Sequence, residues 1–316
     1  STDSTPEMLA GFGEAIRWVR HTANLGFAAS CNDGAKAAGG ELLVFLNNDT
    51  IPQPGWLEAL VRYAGLHPEA AVVGSKLVYP NGSIQHAGVV IGQDRYPRHL
   101  YSGFPADHPA VNKSRPFQIV TAACMLVRRE VFEAAGGFDT AFRNGFEDVD
   151  FCLRLGKRGQ RIHYCAESVV QHLESVSPGR FRHDSANVAL YRERWLGRVR
   201  PDDLEYYLAD DLLRITYEGR YPVRLEFSPL LATVDEATRL SALEDRVRSQ
   251  SRELAELQRE NTRMRLELGA RRERSPELEY QRLRQRIRET VERLVPPGAT
   301  LLVATKGDGA LLELPS

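Results

Sequence analysis

Residues 41–49, Glu-Leu-Leu-Val-Phe-Leu-Asn-Asn-Asp, decide the fold of this chain. The apolar run from Leu42 to Leu46 is typical of a strand in a parallel sheet that is buried on both faces. It ends in two amides and a carboxylate, and Pro52 then prevents the strand from continuing in a ladder. Ligands of open α/β sheets bind beyond the carboxyl ends of strands, so Asp49 is placed to hold a hard cation and, through it, a diphosphate. The alternative is a strand capped by ordinary polar turn residues.

Composition limits the classes of function. The chain has 316 residues, of which 42% are hydrophobic and 26% charged, and its formal net charge is −1. This length is typical of about two domains, and the near-neutral charge gives no electrostatic case for binding nucleic acid. No apolar run approaches the roughly 20 residues of a membrane-spanning helix. The four cysteines lack C-x-x-C spacing, which favours reduced, mostly buried thiols in a cytosolic protein.

The sequence on either side of the 41–49 stretch predicts alternating helices and strands. We expect a short strand at 16–20, a helix at 27–38 that ends in two glycines, and a helix at 54–66 with one apolar face. Residues 80–83, Pro-Asn-Gly-Ser, predict a hairpin turn between two strands. Such alternation favours βαβ units and therefore an α/β fold.

Acidic residues crowd the first turn of a helix predicted over about 146–158. Glu147, Asp148 and Asp150 exceed what a helix cap requires, although the helix dipole favours acids there. Asp148 and Asp150 are two residues apart and cannot share one helix face. Further on, His172 ends a predicted strand, where a lone histidine is usually a surface or satisfied residue.

The spacing of apolar residues changes after residue 240. Side chains three and four apart form a coiled-coil seam over about four heptads: Leu240, Leu243, Val247, Gln250, Leu254, Leu257, Asn261, Met264 and Leu268. Counting from Leu240 as an a position puts Asn261 at a. An a-position Asn pairs best with its own copy in a parallel two-stranded coil, so we predict a homodimer through 240–268. The alternative is a hairpin against a basic amphipathic helix predicted at about 277–294.

Several motifs, taken in order, resemble glycosyltransferase family 2, whose members have the GT-A fold. The first five residues, Ser-Thr-Asp-Ser-Thr, resemble the end of the family's first strand, so we expect that strand to be missing. The other matching motifs are Asn24-Leu-Gly-Phe-Ala, Asn32-Asp-Gly, Asn47-Asn48-Asp49, Gly136-Gly137-Phe138-Asp139, Glu147-Asp148-Val149-Asp150, and His172 with Ser175.

This resemblance implies a domain organisation. We expect a GT-A (Rossmann-like) mixed sheet with flanking helices over residues 1–235, followed by a coiled-coil helical segment over 236–294. Residues 295–316 look like the start of a further α/β domain that is cut short. Residues 93–115 are long, polar and rich in Pro and His. They are predicted to be a mobile loop that helps to shape the acceptor site, or else a solvated connection.

The resemblance also implies a site. Asp148 would be the general base that takes the proton of the acceptor hydroxyl, with Glu147 and Asp150 positioning it and the acceptor. Asp49 and His172 would bind a divalent cation, Mn²⁺ or Mg²⁺. Asn47 stands where the family has an acid, which implies modest or nucleotide-dependent metal affinity. The residues expected to line the donor nucleotide site are Asp3, Asn24, Gly26, Phe27, Asn32, Asn47 and Asn48.

By resemblance, the chain is expected to be an inverting, metal-dependent glycosyltransferase of the cytoplasm or the inner membrane face. It would use a nucleotide-sugar donor and a glycan or other hydroxyl acceptor, in cell-surface polysaccharide synthesis. One alternative is a catalytically silent GT-A domain that acts as an assembly module through its coiled coil. Another is a nucleotidyltransferase, which normally needs a Gly-rich basic loop near the N-terminus that is not visible here. Release of nucleoside diphosphate rather than pyrophosphate separates transferase from nucleotidyltransferase.

Overall fold

The computed structural model describes residues 4–173, 184–217, 219, 222–231, 234, 247, 250–251, 254–265 and 276–294. Two compact units divide the chain, Ser1–Glu244 and Asp245–Ser316. The predicted boundary near residue 235 and the further domain over 295–316 stay predictions, and residues 295–316 lie outside the described part of the chain.

The described strands of the first unit are β1 Leu42–Leu46, β2 Thr50–Pro52, β3 Ala70–Val78, β4 Ile84–His86, β5 Val89–Ile91, β6 Pro97–His99, β7 Arg115–Phe117, β8 Cys124–Arg128, β9 Arg161–His172, β10 Leu213–Thr216 and β11 Arg224–Phe227. Seven of them form a mixed sheet in the order β1-β8-β3-β9-β2, with β4 paired to β3 and β7 paired to β9. The β3–β9 pair is parallel and the other pairs of this sheet are antiparallel. Two small sheets, β5-β6 and β10-β11, are separate from it.

Helices flank this sheet. The α-helices that the structure bounds in this unit are α1 Thr5–Ala10, α2 Phe27–Ala37, α3 Trp56–Leu66, α4 Arg129–Ala134, α5 Glu147–Lys157, α6 Asp184–Tyr191 and α7 Asp203–Ala209. Short 3₁₀ turns occur at Gly13–Ala15 and Pro109–Asn112, and a π-helical turn at Arg192–Leu196 follows α6 directly. The expected mixed α/β class with flanking helices is confirmed.

The sheet separates two hydrophobic clusters. The larger includes Phe45, Phe132, Phe138 and Phe151, whose rings lie 5.0 to 5.4 Å apart where they contact one another. The smaller cluster packs α3 against β3, β8 and β9. Strand β3 is buried along its whole length except at its last residue, so it is the central strand of the core.

Three expectations about this unit are wrong in detail. Strand β1 lies at the end of the described sheet and pairs antiparallel with β8, not in the parallel arrangement expected. Leu43 and Phe45 are buried, but Leu42 and Val44 on the other face are only partly buried, against the smaller cluster. Residues 16–20 form no strand. Residues 93–115 are no solvated loop, since they contain β6 and a 3₁₀ turn and bury side chains such as Leu100 and Phe104 in the core.

The four cysteines are free thiols, three of them buried and Cys31 half-buried, as expected.

In the second unit, residues 254–265 are helical and α8 spans Pro276–Leu294. The predicted seam residues Val247, Leu254, Leu257 and Met264 are exposed. Leu240, Leu243 and Leu268 lie outside the described residues, so the coiled coil stays a prediction. No helix in the described parts of either unit is long and apolar enough to cross a bilayer.

Candidate active site

Asp49 and His172 meet where β2 pairs with the end of β9. Strand pairing sets Thr50 opposite His172, and the Leu173 N–H donates to the Asp49 carbonyl oxygen at 2.9 Å. The Thr50 hydroxyl donates to the Asn47 carbonyl oxygen at 2.6 Å, which closes the turn between β1 and β2. As a result, Asp49 Oδ1 lies 3.1 Å from His172 Nε2. The structure therefore brings together the two predicted metal ligands.

A third side chain orients the imidazole. His172 Nδ1 lies 2.8 Å from Gln85 Oε1 on β4. An amide oxygen only accepts, so Nδ1 donates to Gln85, and Nε2 faces the Asp49 carboxylate at hydrogen-bond and ion-pair distance. If Nε2 carries no proton, it and Asp49 Oδ1 are both acceptors, and the two atoms could share a cation. Adjacent ligands on an octahedral ion with bonds of about 2.1 Å are about 3 Å apart, which matches the observed separation. The residues present therefore fit a divalent cation.

Asp148 lies at the N-terminus of α5. Its Oδ1 accepts from the Val149 N–H at 2.8 Å and its Oδ2 from the Ala122 N–H at 3.0 Å. The neighbouring Ala123 carbonyl oxygen accepts from the Asn47 N–H at 2.9 Å. The backbone of Ala122 and Ala123 thus connects Asp148 to the Asn47–Asp49 turn. Each carboxylate oxygen retains lone pairs for a further partner.

The loop before α5 is held in an uncommon conformation. Asn144 and Phe146 have φ values of 55° and 69°, and positive φ in a bulky residue such as Phe146 is a strained backbone state. Asn144 Oδ1 accepts from the Phe27 N–H at 3.2 Å at the start of α2. Asn24 Oδ1 accepts from the Gly26 N–H at 2.9 Å, and Gly26 has φ 86°. This loop therefore ties the predicted donor segment to the helix that carries Asp148.

Glu147 is buried, and its Oε2 accepts from the Gly145 N–H at 2.5 Å. Burial, followed by the charge of Glu147, raises the pKa of the Cys31 thiol to about 12. The carboxylate therefore lies beside α2 and supports the loop between residues 144 and 147.

Asp150 makes its contacts within the protein. Its Oδ2 accepts from Arg154 Nε at 2.7 Å, and its Oδ1 accepts from Trp195 Nε1 at 2.9 Å and from Arg194 Nη1 at 3.4 Å. The carboxylate is 1% exposed. These contacts hold the π-helical turn against α5, which favours a supporting role over contact with an acceptor.

Asn32 also bonds to the protein rather than facing open space. Its Nδ2 donates to the Phe138 carbonyl oxygen at 2.8 Å and its Oδ1 accepts from the Phe138 N–H at 2.9 Å. A side chain at Gly137, where φ is 70°, would meet Asn32 Oδ1 at 2.5 Å. Asn32 therefore positions the Gly137–Phe138 turn, and the structure favours this role over a contact with nucleotide.

Of the remaining predicted donor-site residues, Asn47 is partly buried, Asn48 is exposed in the turn, and Asp3 lies outside the described residues together with Ser175. Sequence reasoning missed Gln85, Asn144 and the backbone of Ala122 and Ala123. Nothing in the sequence near Gln85 indicates which distant residue it contacts. The role of Asn144 could have been predicted, because Asn-Gly before an acidic helix start favours a left-handed turn.

The fold and the site together define the class of this protein. It is an α/β protein whose mixed sheet carries a metal-compatible site, with a carboxylate and an imidazole at the strand ends and an acid at a neighbouring helix N-terminus. The model of the glycosyltransferase-like family 2 matches residues 2–197. The chain belongs to this family, which confirms the resemblance, and the observed sheet agrees with the GT-A architecture that it implied.

Individual relatives agree with this assignment. The chain is 41% identical over 157 residues to the O-antigen biosynthesis protein RfbC of Myxococcus xanthus, covering 48% of this chain and 12% of that protein. It is 28% identical over 203 residues to N-acetylglucosaminyl-diphospho-decaprenol L-rhamnosyltransferase of Mycobacterium tuberculosis. That match covers 57% of this chain and 66% of that protein. The chain thus spans about an eighth of the first and less than two thirds of the second.

Among solved structures, GalNAc-T7 with UDP, GalNAc and Mn²⁺ matches at 13% identity and a TM-score of 0.45, covering 56% of this chain and 36% of that one. Staphylococcus aureus TarS 1–349 matches at 14% identity and a TM-score of 0.41, and the match covers 66% of this chain and 60% of that one.

Proposed function

We propose that this chain transfers a sugar from a nucleotide-diphosphate-sugar donor to an acceptor hydroxyl, with inversion at the anomeric carbon, in the synthesis of a cell-surface glycan. The observation that carries the proposal is the meeting of a carboxylate and an imidazole at the strand ends, with Asp49 Oδ1 3.1 Å from His172 Nε2. Family membership supports the reaction class.

Asp49 and His172 would hold a divalent cation, Mn²⁺ or Mg²⁺, at the carboxyl ends of the strands. When bound, such an ion neutralises the diphosphate leaving group as a Lewis acid. Gln85 accepts from His172 Nδ1, which would leave Nε2 as the ring atom available to hold the ion. A ligand that is oriented in this way loses less freedom on binding, as is typical of metal sites with ordered outer contacts.

Asp148 would act as general base. The acceptor oxygen forms a bond to the anomeric carbon while the bond from that carbon to the diphosphate oxygen breaks, and the acceptor proton passes to Asp148. The backbone N–H groups of Ala122 and Val149 hold the carboxylate in place, which lowers the entropic cost of alignment. Glu147 and Asp150 would support this geometry through the loop and the π-helical turn that they contact.

The names of the relatives point to the kind of product. One relative is named as an O-antigen biosynthesis protein. Another is named as a rhamnosyltransferase of N-acetylglucosaminyl-diphospho-decaprenol, which is a lipid-linked sugar. We infer a related role here, with a glycan or lipid-linked glycan as acceptor. Placement in the cytoplasm, at or near the inner membrane face, remains a prediction.

A donor screen tests the proposed function. The intact chain would be incubated with a panel of nucleotide sugars, a mixed glycan acceptor and Mn²⁺ or Mg²⁺. Release of nucleoside diphosphate that depends on acceptor and is abolished by chelator is the expected result, and NMR of the product would show an inverted anomeric centre. Release of pyrophosphate would favour a nucleotidyltransferase. Absence of both, with donor still bound, would favour a silent binding module.

We also infer a homodimer through residues 240–268. Val247, Leu254, Leu257 and Met264 expose 51% to 61% of their surface in the single chain, and a partner helix would cover them. Light scattering at micromolar concentration should give twice the monomer mass, and Asn261→Leu should change the oligomeric state or register. A chain that stays monomeric and is unaffected by Asn261→Leu would leave the hairpin as the alternative.

A further inference from the structure

A second group of ligand-bearing side chains lies near the other end of β9. His67 follows α3, Glu69 precedes β3, and His163 is the third residue of β9. One ligand atom from each of the three lies within 4.8 Å of the other two. His163 is opposite Val73 of β3 and Gln171 is opposite Val78, across a register shift in β9, so His172 lies about six β3 residues, or roughly 20 Å, further along the sheet. This cluster is therefore separate from the candidate active site.

Local structure places His67 and Glu69 side by side. The Ala70 N–H donates to the His67 carbonyl oxygen at 2.9 Å and closes a turn that contains Pro68. Proline at the second position of such a turn fixes the backbone φ angle that the turn requires. His67 Nδ1 lies 3.2 Å from Glu69 Oε1. His67 also caps the C-terminus of α3, the end of a helix where the dipole favours a positive ion.

His163 supplies an independent observation. His163 is buried, with 4% of its surface exposed. Its Nδ1 lies 3.0 Å from the Tyr63 hydroxyl, while Nε2 is buried and has no hydrogen-bond partner among the described residues. A buried ring nitrogen without a partner is costly in either tautomer. When Nδ1–H donates to Tyr63, the Nε2 lone pair is left free.

The imidazoles of His67 and His163 are neighbours, with ring centroids 5.6 Å apart. One ligand atom of each already lies within 4.8 Å of the other and of a Glu69 oxygen, so both imidazoles can contribute to one site.

We propose that His67, Glu69 and His163 bind a divalent transition-metal ion of the Zn²⁺ class. Two imidazoles and one carboxylate suit Zn²⁺ and related ions better than Mg²⁺ or Ca²⁺, which prefer oxygen ligands. Tyr63 would orient His163, as outer partners of histidine ligands commonly do. The exposed Glu69 and partly exposed His67 leave a fourth position open to water. The ion would join the turn before β3 to β9.

Zinc binding by the intact chain tests this site without any assay of glycosyl transfer. Zn²⁺ affinity and stoichiometry would be measured by competition with a chromogenic chelator, in the absence of nucleotide, together with the melting temperature with and without Zn²⁺. The variants are His67→Ala, Glu69→Gln and His163→Gln. His108→Ala is the matched control, since His108 is a partly exposed histidine elsewhere, and Asp49→Asn removes the other candidate site.

The expected result is one Zn²⁺ per chain in the wild type, in His108→Ala and in Asp49→Asn, with a rise in melting temperature. Each of the three cluster variants should lose affinity by about 100-fold or more and lose the thermal shift. Glu69 is exposed and His67 partly exposed, so Glu69→Gln and His67→Ala still test the site if His163→Gln does not fold. Equal Zn²⁺ affinity in wild type and His67→Ala, or loss of Zn²⁺ only in Asp49→Asn, would overturn the proposal.

Discussion

Asp49 Oδ1 and His172 Nε2 lie 3.1 Å apart although 123 residues separate them in the chain. The contact follows from sheet order, because β2 pairs antiparallel with the end of β9 and sets Thr50 opposite His172. Gln85 on β4 holds the other ring nitrogen at 2.8 Å. Three short segments that are distant in sequence thus converge on one imidazole, and the predictions below test what this convergence does.

Asp148→Asn should lower the turnover rate about 10²–10⁴-fold, because an amide cannot accept the acceptor proton. Donor affinity, measured by calorimetry, should stay nearly unchanged. The matched control is Asp203→Asn, since Asp203 Oδ1 also accepts the next backbone N–H, from Leu204 at 3.0 Å, at the start of a helix. Wild-type turnover in Asp148→Asn would remove Asp148 from the role of base.

Gln85→Leu should weaken metal affinity roughly 10–100-fold, because it releases the hydrogen bond that orients a histidine ligand. Mn²⁺ binding would be titrated in the presence of the nucleoside diphosphate that the donor screen identifies. Gln118→Leu is the control, since Gln118 donates to the Arg200 carbonyl oxygen away from this site. Equal Mn²⁺ affinity in both variants would show that Gln85 has no part in metal binding.

Asp150→Ala should lower the free energy of unfolding by about 3–5 kcal/mol, the range for breaking a buried ion pair by removing one partner. Arg154 would lose its carboxylate and Trp195 Nε1 its acceptor. Asp211→Ala, in an exposed pair with Arg214, should change stability little. Urea unfolding measures both. A small effect at Asp150 with a large loss of acceptor affinity would instead support the direct acceptor role.

Asn32→Ala should destabilise the fold by about 1–3 kcal/mol, because it leaves the Phe138 N–H and carbonyl groups without their amide partner. Donor affinity measured below the unfolding transition should be retained. Asn112→Ala removes another bridging amide, which donates to the Ala106 and His108 carbonyls, and controls for general loss of stability. Loss of donor binding in folded Asn32→Ala would restore the original prediction of a nucleotide contact.

Stability should fall as the pH drops from 7 to 5. Burial, and then the charges of His99 and His172, lower the pKa of His86 well below 6.5. The unfolded chain therefore binds more protons below pH 6.5, so this contribution is present above that pH and is lost as pH falls, by at most about 1.4 kcal/mol per pH unit. Urea unfolding of His86→Gln should show a smaller decrease than wild type, with His108→Gln as control. Identical pH dependence in all three would contradict this assignment.

Local features of the fold could be predicted from sequence. The apolar run at 42–46, the Asn-Gly hairpin after β3, helix α2 and the acidic start of α5 all depend on neighbouring residues, and each occurs close to its predicted place. Where prediction failed, more distant structure was responsible. Residues 93–115 look solvated by composition, yet Leu100 and Phe104 are buried, because burial depends on what packs around a segment.

The sequence by itself determined the chemical types at the candidate site: a carboxylate and amides after a strand, acids at a helix start, and a histidine at a strand end. Only the tertiary structure decided their partners. Asp148 and Asp150 look alike in sequence, but one accepts from the Ala122 backbone N–H and the other from Trp195 and Arg154. The physical reason is that a hydrogen bond acts over about 3 Å, and strand order and helix packing determine which distant groups come within that range.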